Sequence, residues 1–191
     1  MFELITDREV LSQKSKPAKV DEESLGILKQ MHETILHYRN TESPIAALAA
    51  NQIGYPYRII VLCNGDEFVN MFNPEIAIAD GSVEIWEGCG SIPSAVCLCE
   101  RPRFTLVNYT DEKNSPMILP LNELGSHLAC HEIDHLDGIT ILDRSKKTEY
   151  VESEKQKTDV LISRNGPLFA ELKARQQAEA NMSKDAGSLV K

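Results

Sequence analysis

The chain has no apolar run approaching the roughly 18 residues needed to span a membrane. Its start, Met1-Phe2-Glu3-Leu4-Ile5-Thr6-Asp7, lacks the basic-then-apolar order of a secretory signal. It also lacks a basic excess. Lys and Arg number 20 against 29 Asp and Glu, a net charge of −9, which argues against a DNA-binding or general nucleic-acid-binding protein, since such proteins neutralise phosphates with basic patches. The five cysteines (Cys63, Cys89, Cys97, Cys99 and Cys130) are odd in number and follow no small-scaffold spacing, so a reduced, cytoplasmic compartment is expected. Histidine is equally scarce, at five residues. What remains is ordinary: 42% hydrophobic and 26% charged residues over 191 positions, enough for one globular domain, with or without a tail.

Two of the scarce histidines fall in His131-Glu132-Ile133-Asp134-His135, an HExxH pentapeptide in a segment whose pattern predicts a helix over about 122–136. Residues four apart project from one helical face, so the two imidazoles can grip one cation. The adjacent Glu132 can then serve as a general base toward water at that cation. By contrast, His32 and His37 read as partly exposed helix residues.

Before that helix the chain is mostly strand. Leu25, Leu28, Met31, His32, Ile35 and Leu36 recur at helical spacing after a cap at Asp21 or Ser24. A loop at 40–44 and a small-residue segment at 45–54 lead into a buried strand at 58–62. A strand at 67–72 is expected to break at Asn73-Pro74, and Asp80-Gly81 reads as a hairpin turn between 75–79 and 82–86. Residues 104–109 and 117–119 form another strand pair. Strands that outnumber helices without alternating with them indicate an α+β fold with mostly antiparallel sheet. Residues 168–182 read as an exposed helix and 183–191 as a frayed end.

A catalytic divalent metal usually takes three protein ligands and leaves a position open. The HExxHxxGxxH scheme fails, because Ile141 stands where its last histidine would be. Glu149 or Glu152 could serve from downstream, at short spacing. The stronger candidate is upstream: Cys89 lies between Gly88 and Gly90, where the backbone can turn tightly and a thiolate can ligate. Cys97 and Cys99 alternate on a strand and read as same-face residues rather than a second metal pair.

Glu87-Gly88-Cys89-Gly90-Ser91-Ile92-Pro93, His131-Glu132-Ile133-Asp134-His135-Leu136-Asp137-Gly138 and the upstream Ala49-Ala50-Asn51-Gln52 resemble, in that order, the motifs of the peptide deformylases, over about residues 1–150. The resemblance implies an α+β fold with mostly antiparallel sheets packed around the central HExxH helix. Residues 1–148 would form the catalytic domain and 149–191 a helical extension and tail. It implies a hydrolase that removes the N-formyl group from the initiator methionine of nascent polypeptides, releasing formate. Cys89, His131 and His135 would hold one divalent metal, Fe2+ in the cell, with Zn2+, Ni2+ or Co2+ able to occupy the site. Glu132 would carry the proton, while Gln52 and the backbone N–H of Gly90 would stabilise the oxyanion. Ile45, Ala46, Ala47, Gly88, Leu124, His127 and Leu128 fall where the family contacts its substrate. The enzyme would work in the cytoplasm, or in an organelle that initiates with formylmethionine. The mildly basic tail allows at most weak ribosome association.

The chain departs from that family in its recognition residues. Ile45 and Ala47 stand at two glycine positions, Gly90 replaces a leucine, His127 enters the methionine pocket, and Val96 stands where an arginine is common. Ile45 tolerates positive φ poorly, so either the loop runs differently or the groove is narrowed. Gly90 would remove an apolar wall. A changed formylated substrate, or binding without turnover, is therefore the alternative reading. An HExxH endopeptidase using Glu149 or Glu152 is a third.

Overall fold

The computed structural model describes residues 3–39, 41 and 44–188, and side chains as far as Glu171. Part of the expected loop at 40–44, the last residues of the expected frayed end and the side-chain exposure of 172–182 lie outside the described residues. Among the described residues, no helix is long and apolar enough to cross a membrane.

A short helix α1 (Arg8–Leu11) precedes α2 (Glu22–Tyr38). The start of α2 is fixed by a reciprocal cap in which Ser24 N–H donates to Asp21 Oδ1 and Asp21 N–H donates to Ser24 Oγ, each at 3.0 Å. Its buried face is Ile27, Leu28, Met31 and Ile35, packed on Leu48, Ile59, Val61 and Phe72. Leu25 and Leu36, expected on that stripe, face solvent instead. The apolar face lies a fraction of a turn away, because Ile27 and Thr34 join it.

Two antiparallel sheets follow. Strands β1 (Ala47–Ala49), β2 (Ile59–Asn64), β3 (Glu67–Asp80), β6 (Phe104–Thr110) and β7 (Pro116–Asn122) form the larger sheet in the order β1-β2-β3-β6-β7. A 3-10 turn, Ala50–Ile53, links β1 to β2. Strands β4 (Val83–Cys89), β5 (Ile92–Arg101) and β8 (Lys147–Tyr150) form the smaller sheet. The edge strands β1 and β4 each keep one side free of strand partners.

Two turn expectations give way here. Asn73-Pro74 does not end β3: Asn73 adopts φ 51°, the pairing shifts register between Phe72 and Glu75, and the strand continues. Asparagine tolerates that φ, proline is accepted at a bulge, and the Asn73 carboxamide exchanges hydrogen bonds with the backbone of Ala18 at 2.7 and 2.8 Å. Asp80-Gly81 is a bridge between sheets rather than a hairpin turn. The second half of β3 pairs with β6, so β4 leaves to pair with β5.

Helix α3 (Glu123–Leu136) carries HExxH between the sheets. Ala129, Ile133 and Leu136 pack on Ala47, Ala49, Ile60, Leu62 and Met71 of the larger sheet. Helix α4 (Ile141–Arg144) and β8 return the chain to the smaller sheet. The long α5 (Glu154–Ser188) then lies against β4 and β5 and runs helical through 183–188, which were expected to fray.

After α3 the chain turns at Gly138, with φ +76°, where a Cβ would stand 2.2 Å from the carbonyl oxygen of Ser12. Both conformation and space exclude a side chain. Gly138→Ala should lower the unfolding free energy by about 3 kcal/mol, measured by urea denaturation. An unchanged midpoint would remove this constraint.

Candidate active site and metal centre

The ligand atoms of Cys89, His131 and His135 lie within 4.8 Å of one another. Two elements bring them there. Helical spacing stacks His131 and His135 on one face of α3, and the tight β4–β5 turn presents Cys89 from the smaller sheet. Cys89 Sγ is 3.2 Å from His135 Nε2. His131 Nδ1–H donates to Glu87 Oε2 at 3.0 Å, which leaves its other nitrogen free to face the cluster. Burial alone would push the Cys89 thiol up, but the charge of His135 and hydrogen bonds from both imidazoles hold it well below the ordinary thiol value. One thiolate and two imidazoles suit a borderline transition metal and not Ca2+ or Mg2+, so these residues fit a divalent iron- or zinc-type ion.

A buried arginine stands behind the cluster. Arg101, 4% exposed, donates to both oxygens of Glu87 at 2.6 and 2.9 Å, and to Asp134 Oδ2 at 2.6 Å. Arg144 covers the rest of Asp134. Burial opposes ionisation of Glu87, yet Arg101 and His131 bring its pKa down to about 2. Asn51 Nδ2 donates to the carbonyl of His135 at 2.6 Å, tying the 3-10 turn to α3.

Glu132 is buried, its Oε2 has no hydrogen-bond partner among the described residues, and burial raises its pKa. That suits a carboxylate which accepts and returns a proton. Gln52, also buried, accepts from Ala49 N–H at 2.9 Å through Oε1, which aims Nε2 toward Ser91 Oγ at 3.2 Å and Cys89 Sγ at 3.7 Å. Backbone capping and a role at the centre are thus the same arrangement.

A cavity of about 280 Å³ opens over the centre, lined by Ile45, Ala46, Ala47, Gln52, Gly88, Cys89, Gly90, Leu128, His131 and Glu132. Neither Ile45 nor Ala47 has positive φ. The backbone at these two positions is therefore unstrained, and Ile45 is part of the cavity wall. The apolar wall expected to be lost at Gly90 is rebuilt by Leu4, whose Cδ1 would lie 2.4 Å from a Cβ at position 90. Val96 is fully buried in β5 and lines neither this cavity nor the adjoining one.

Leu124 and His127 fall outside the larger cavity. With Leu128, Gly88, Ile85 and Trp86 they line the adjoining cavity of about 230 Å³. Glu149 bonds Arg164 at 2.7 Å and Glu152 is exposed, so neither downstream carboxylate joins the ligand cluster. Sequence reasoning expected a helical extension here but missed that its first turns wall the site. Leu161 and Ile162 line both cavities, Asn165 lines the smaller one, and a Cβ on Gly88 would come within 2.9 Å of Leu161 Cδ1. Asn165 exchanges hydrogen bonds with the backbone of Trp86 at 3.0 and 2.8 Å on the free edge of β4. Buried Lys157 donates to the carbonyls of Cys89 and Ile92 at 2.7 and 3.3 Å. The four-residue spacing of Lys157, Leu161 and Asn165 was the available signal.

Fold and site together have the form of an α+β HExxH hydrolase in which Cys89, His131 and His135 could hold a metal ion. The profile of the polypeptide deformylase family matches residues 3–151, and the chain belongs to that family. It is 35% identical over 148 residues to peptide deformylase 2 of Clostridium acetobutylicum, covering 77% of this chain and 95% of that one. Among solved structures it is similar to the peptide deformylase of Thermotoga maritima, with TM-score 0.68, 31% identity, and 76% and 96% of the two chains covered. The Synechococcus elongatus enzyme, solved with actinonin, has TM-score 0.68 and 28% identity over 86% of this chain and 84% of its own.

Arg101→Met would leave buried Glu87 with His131 and Asp134 with Arg144 as their remaining partners, and should cost about 3 kcal/mol in denaturant unfolding. Because the Glu87 pKa is lowered from 4.5 to about 2, its stabilising contribution is complete above pH 4.5 and is lost as pH falls toward 2. Acid unfolding of the wild type, followed by circular dichroism, should track that window. Lys157→Met, which leaves two carbonyls without their donor, should lower the melting temperature by roughly 5 °C.

Proposed function

We propose that this chain removes the N-formyl group from the formylmethionine of nascent polypeptides and releases formate. The observation that carries the reading is the Cys89–His131–His135 cluster, with Glu132 Oε2 unpartnered among the described residues and the Gln52 amide beside Cys89. Cys89, His131 and His135 would hold one divalent ion: Fe2+ in the cell, with Zn2+, Ni2+ or Co2+ able to replace it. When bound, the ion supplies positive charge that acidifies water and polarises the formyl carbonyl.

The side chains do the rest. Glu132 takes a proton from the attacking water and delivers it to the methionine nitrogen as the formyl C–N bond breaks. Gln52 Nε2 and the Gly90 N–H donate to the formyl oxygen as negative charge develops there. Ile45, Ala46, Ala47 and Gly88 flank the peptide between the free sides of β1 and β4. Leu124, His127 and Leu128 take the methionine side chain. Residues 1–148 act as the catalytic unit and 149–191 as its extension, a division supported by the family match ending at residue 151. The substrate places the enzyme in the cytoplasm, or in an organelle that starts translation with formylmethionine. The mildly basic tail would give weak ribosome association.

Iron-loaded, anaerobic protein should release formate from formyl-Met-Ala-Ser. Glu132→Gln should keep the metal and lose turnover by about 10²–10⁴-fold, whereas Cys89→Ala should lose the metal. A wild type with full metal and no formate release would overturn the assignment.

A further inference from the structure

Lys157, in the first turns of α5, is 2% exposed and lies beyond the family match at residues 3–151. Its Nζ donates to the carbonyls of Cys89 and Ile92 at 2.7 and 3.3 Å and pairs with Glu154 Oε2 at 3.5 Å. Three partners occupy the three donors of an ammonium. Cys89 and Ile92 are the pair that closes the β4–β5 turn, so the lysine grips that turn at both ends. Fastening α5 does not require a charge at this depth, where burial is costly. Arg164, which lies over the Trp86 ring and bonds Glu149, and Asn165, bonded to the Trp86 backbone, already hold the helix to the smaller sheet.

We infer that Lys157 is a positioning residue, which holds the Cys89–Gly90 peptide so that the Gly90 N–H donates to the formyl oxygen. The Cys89 carbonyl and the Gly90 N–H belong to one peptide unit. In a trans peptide the two point in opposite directions, so a carbonyl fixed on α5 fixes the N–H away from it. Glycine at 90 has no Cβ to restrict that plane, and Leu4 fills the missing side chain's space but offers no hydrogen bond. A charge-assisted hydrogen bond at the carbonyl also polarises the N–H of the same unit and strengthens it as a donor. A donor set in place beforehand stabilises developing negative charge most.

The inference rests on the deformylase reading for turnover but not for the orientation of the peptide. Full-length, metal-loaded Lys157→Met, which keeps the length and loses the donor, should lose about tenfold to a hundredfold in kcat on formyl-Met-Ala-Ser. Its KM, metal content and affinity for the product Met-Ala-Ser should stay at wild-type values, since none of them uses the oxyanion donor. Arg164→Ala loosens α5 outside both cavities and should lower the melting temperature with kcat unchanged. An unchanged kcat in Lys157→Met would overturn the proposal. So would joint loss of metal and product binding there, or an equal kcat loss in Arg164→Ala, either of which would show a packing role. If Lys157→Met does not fold, Lys157→Gln, a neutral donor, decides: a kcat loss of about threefold or more sustains the proposal and an unchanged kcat overturns it. The Gly90 amide resonance of the zinc-loaded protein gives a readout without turnover. It should shift in the Lys157 variant and stay in place in Arg164→Ala. That pattern in a protein that releases no formate would sustain the positioning and reject the reaction. A Gly90 resonance that does not move would reject the positioning.

Discussion

The structure depends on one buried guanidinium. Arg101 rises from the end of β5 and grips Glu87 on β4 and Asp134 on α3. Through those two carboxylates it fixes the smaller sheet against the HExxH helix. Cys89 sits two residues after Glu87, and His131 and His135 lie on either side of Asp134, so the spacing of all three ligand atoms follows from this bridge. Burying three charges is expensive, and only their mutual hydrogen bonds make the arrangement tolerable. In return the ligand atoms are held within 4.8 Å without any backbone strain at the ligands themselves.

The same bridge sets the electrostatics. Glu87 remains ionised behind His131, orients its ring and keeps the coordinating face toward Cys89. One residue further along α3, Glu132 Oε2 has no hydrogen-bond partner among the described residues, and burial raises rather than lowers its pKa. Two nearby carboxylates are thus driven in opposite directions, Glu87 toward its ionised form and Glu132 toward its protonated one.

Most of the candidate site's assembly was legible in the sequence because it is encoded in short-range spacing. HExxH fixes two imidazoles on one helical turn, and the Gly-flanked Cys89 marks a tight turn that can bring a thiolate to them. Gln52 was legible only through its motif, since its aim depends on the cap it makes at Ala49. What stayed hidden was long-range. Nothing local to Gly90 announces that Leu4 fills the space of a missing side chain, and nothing in β4 announces α5. The Asp80-Gly81 dipeptide has the chemistry of a hairpin turn, but pairing of β3 with β6 overrides it. Local turn preference cannot report which strand reaches an edge first.

The candidate site and the wall beside it draw on different stretches of the chain. The ligands, Glu132 and Gln52 lie within the family match at residues 3–151, whereas the α5 wall lies beyond it. The central claim is that one ion, held by Cys89, His131 and His135, makes this chain a formyl hydrolase. An anaerobic Fe2+ titration of metal-free protein, with formate release from formyl-Met-Ala-Ser read at each addition, tests it directly. Activity rising linearly and breaking at one ion per chain is the expected result. Stoichiometric binding with no formate, or formate release that does not follow the ion, would contradict it.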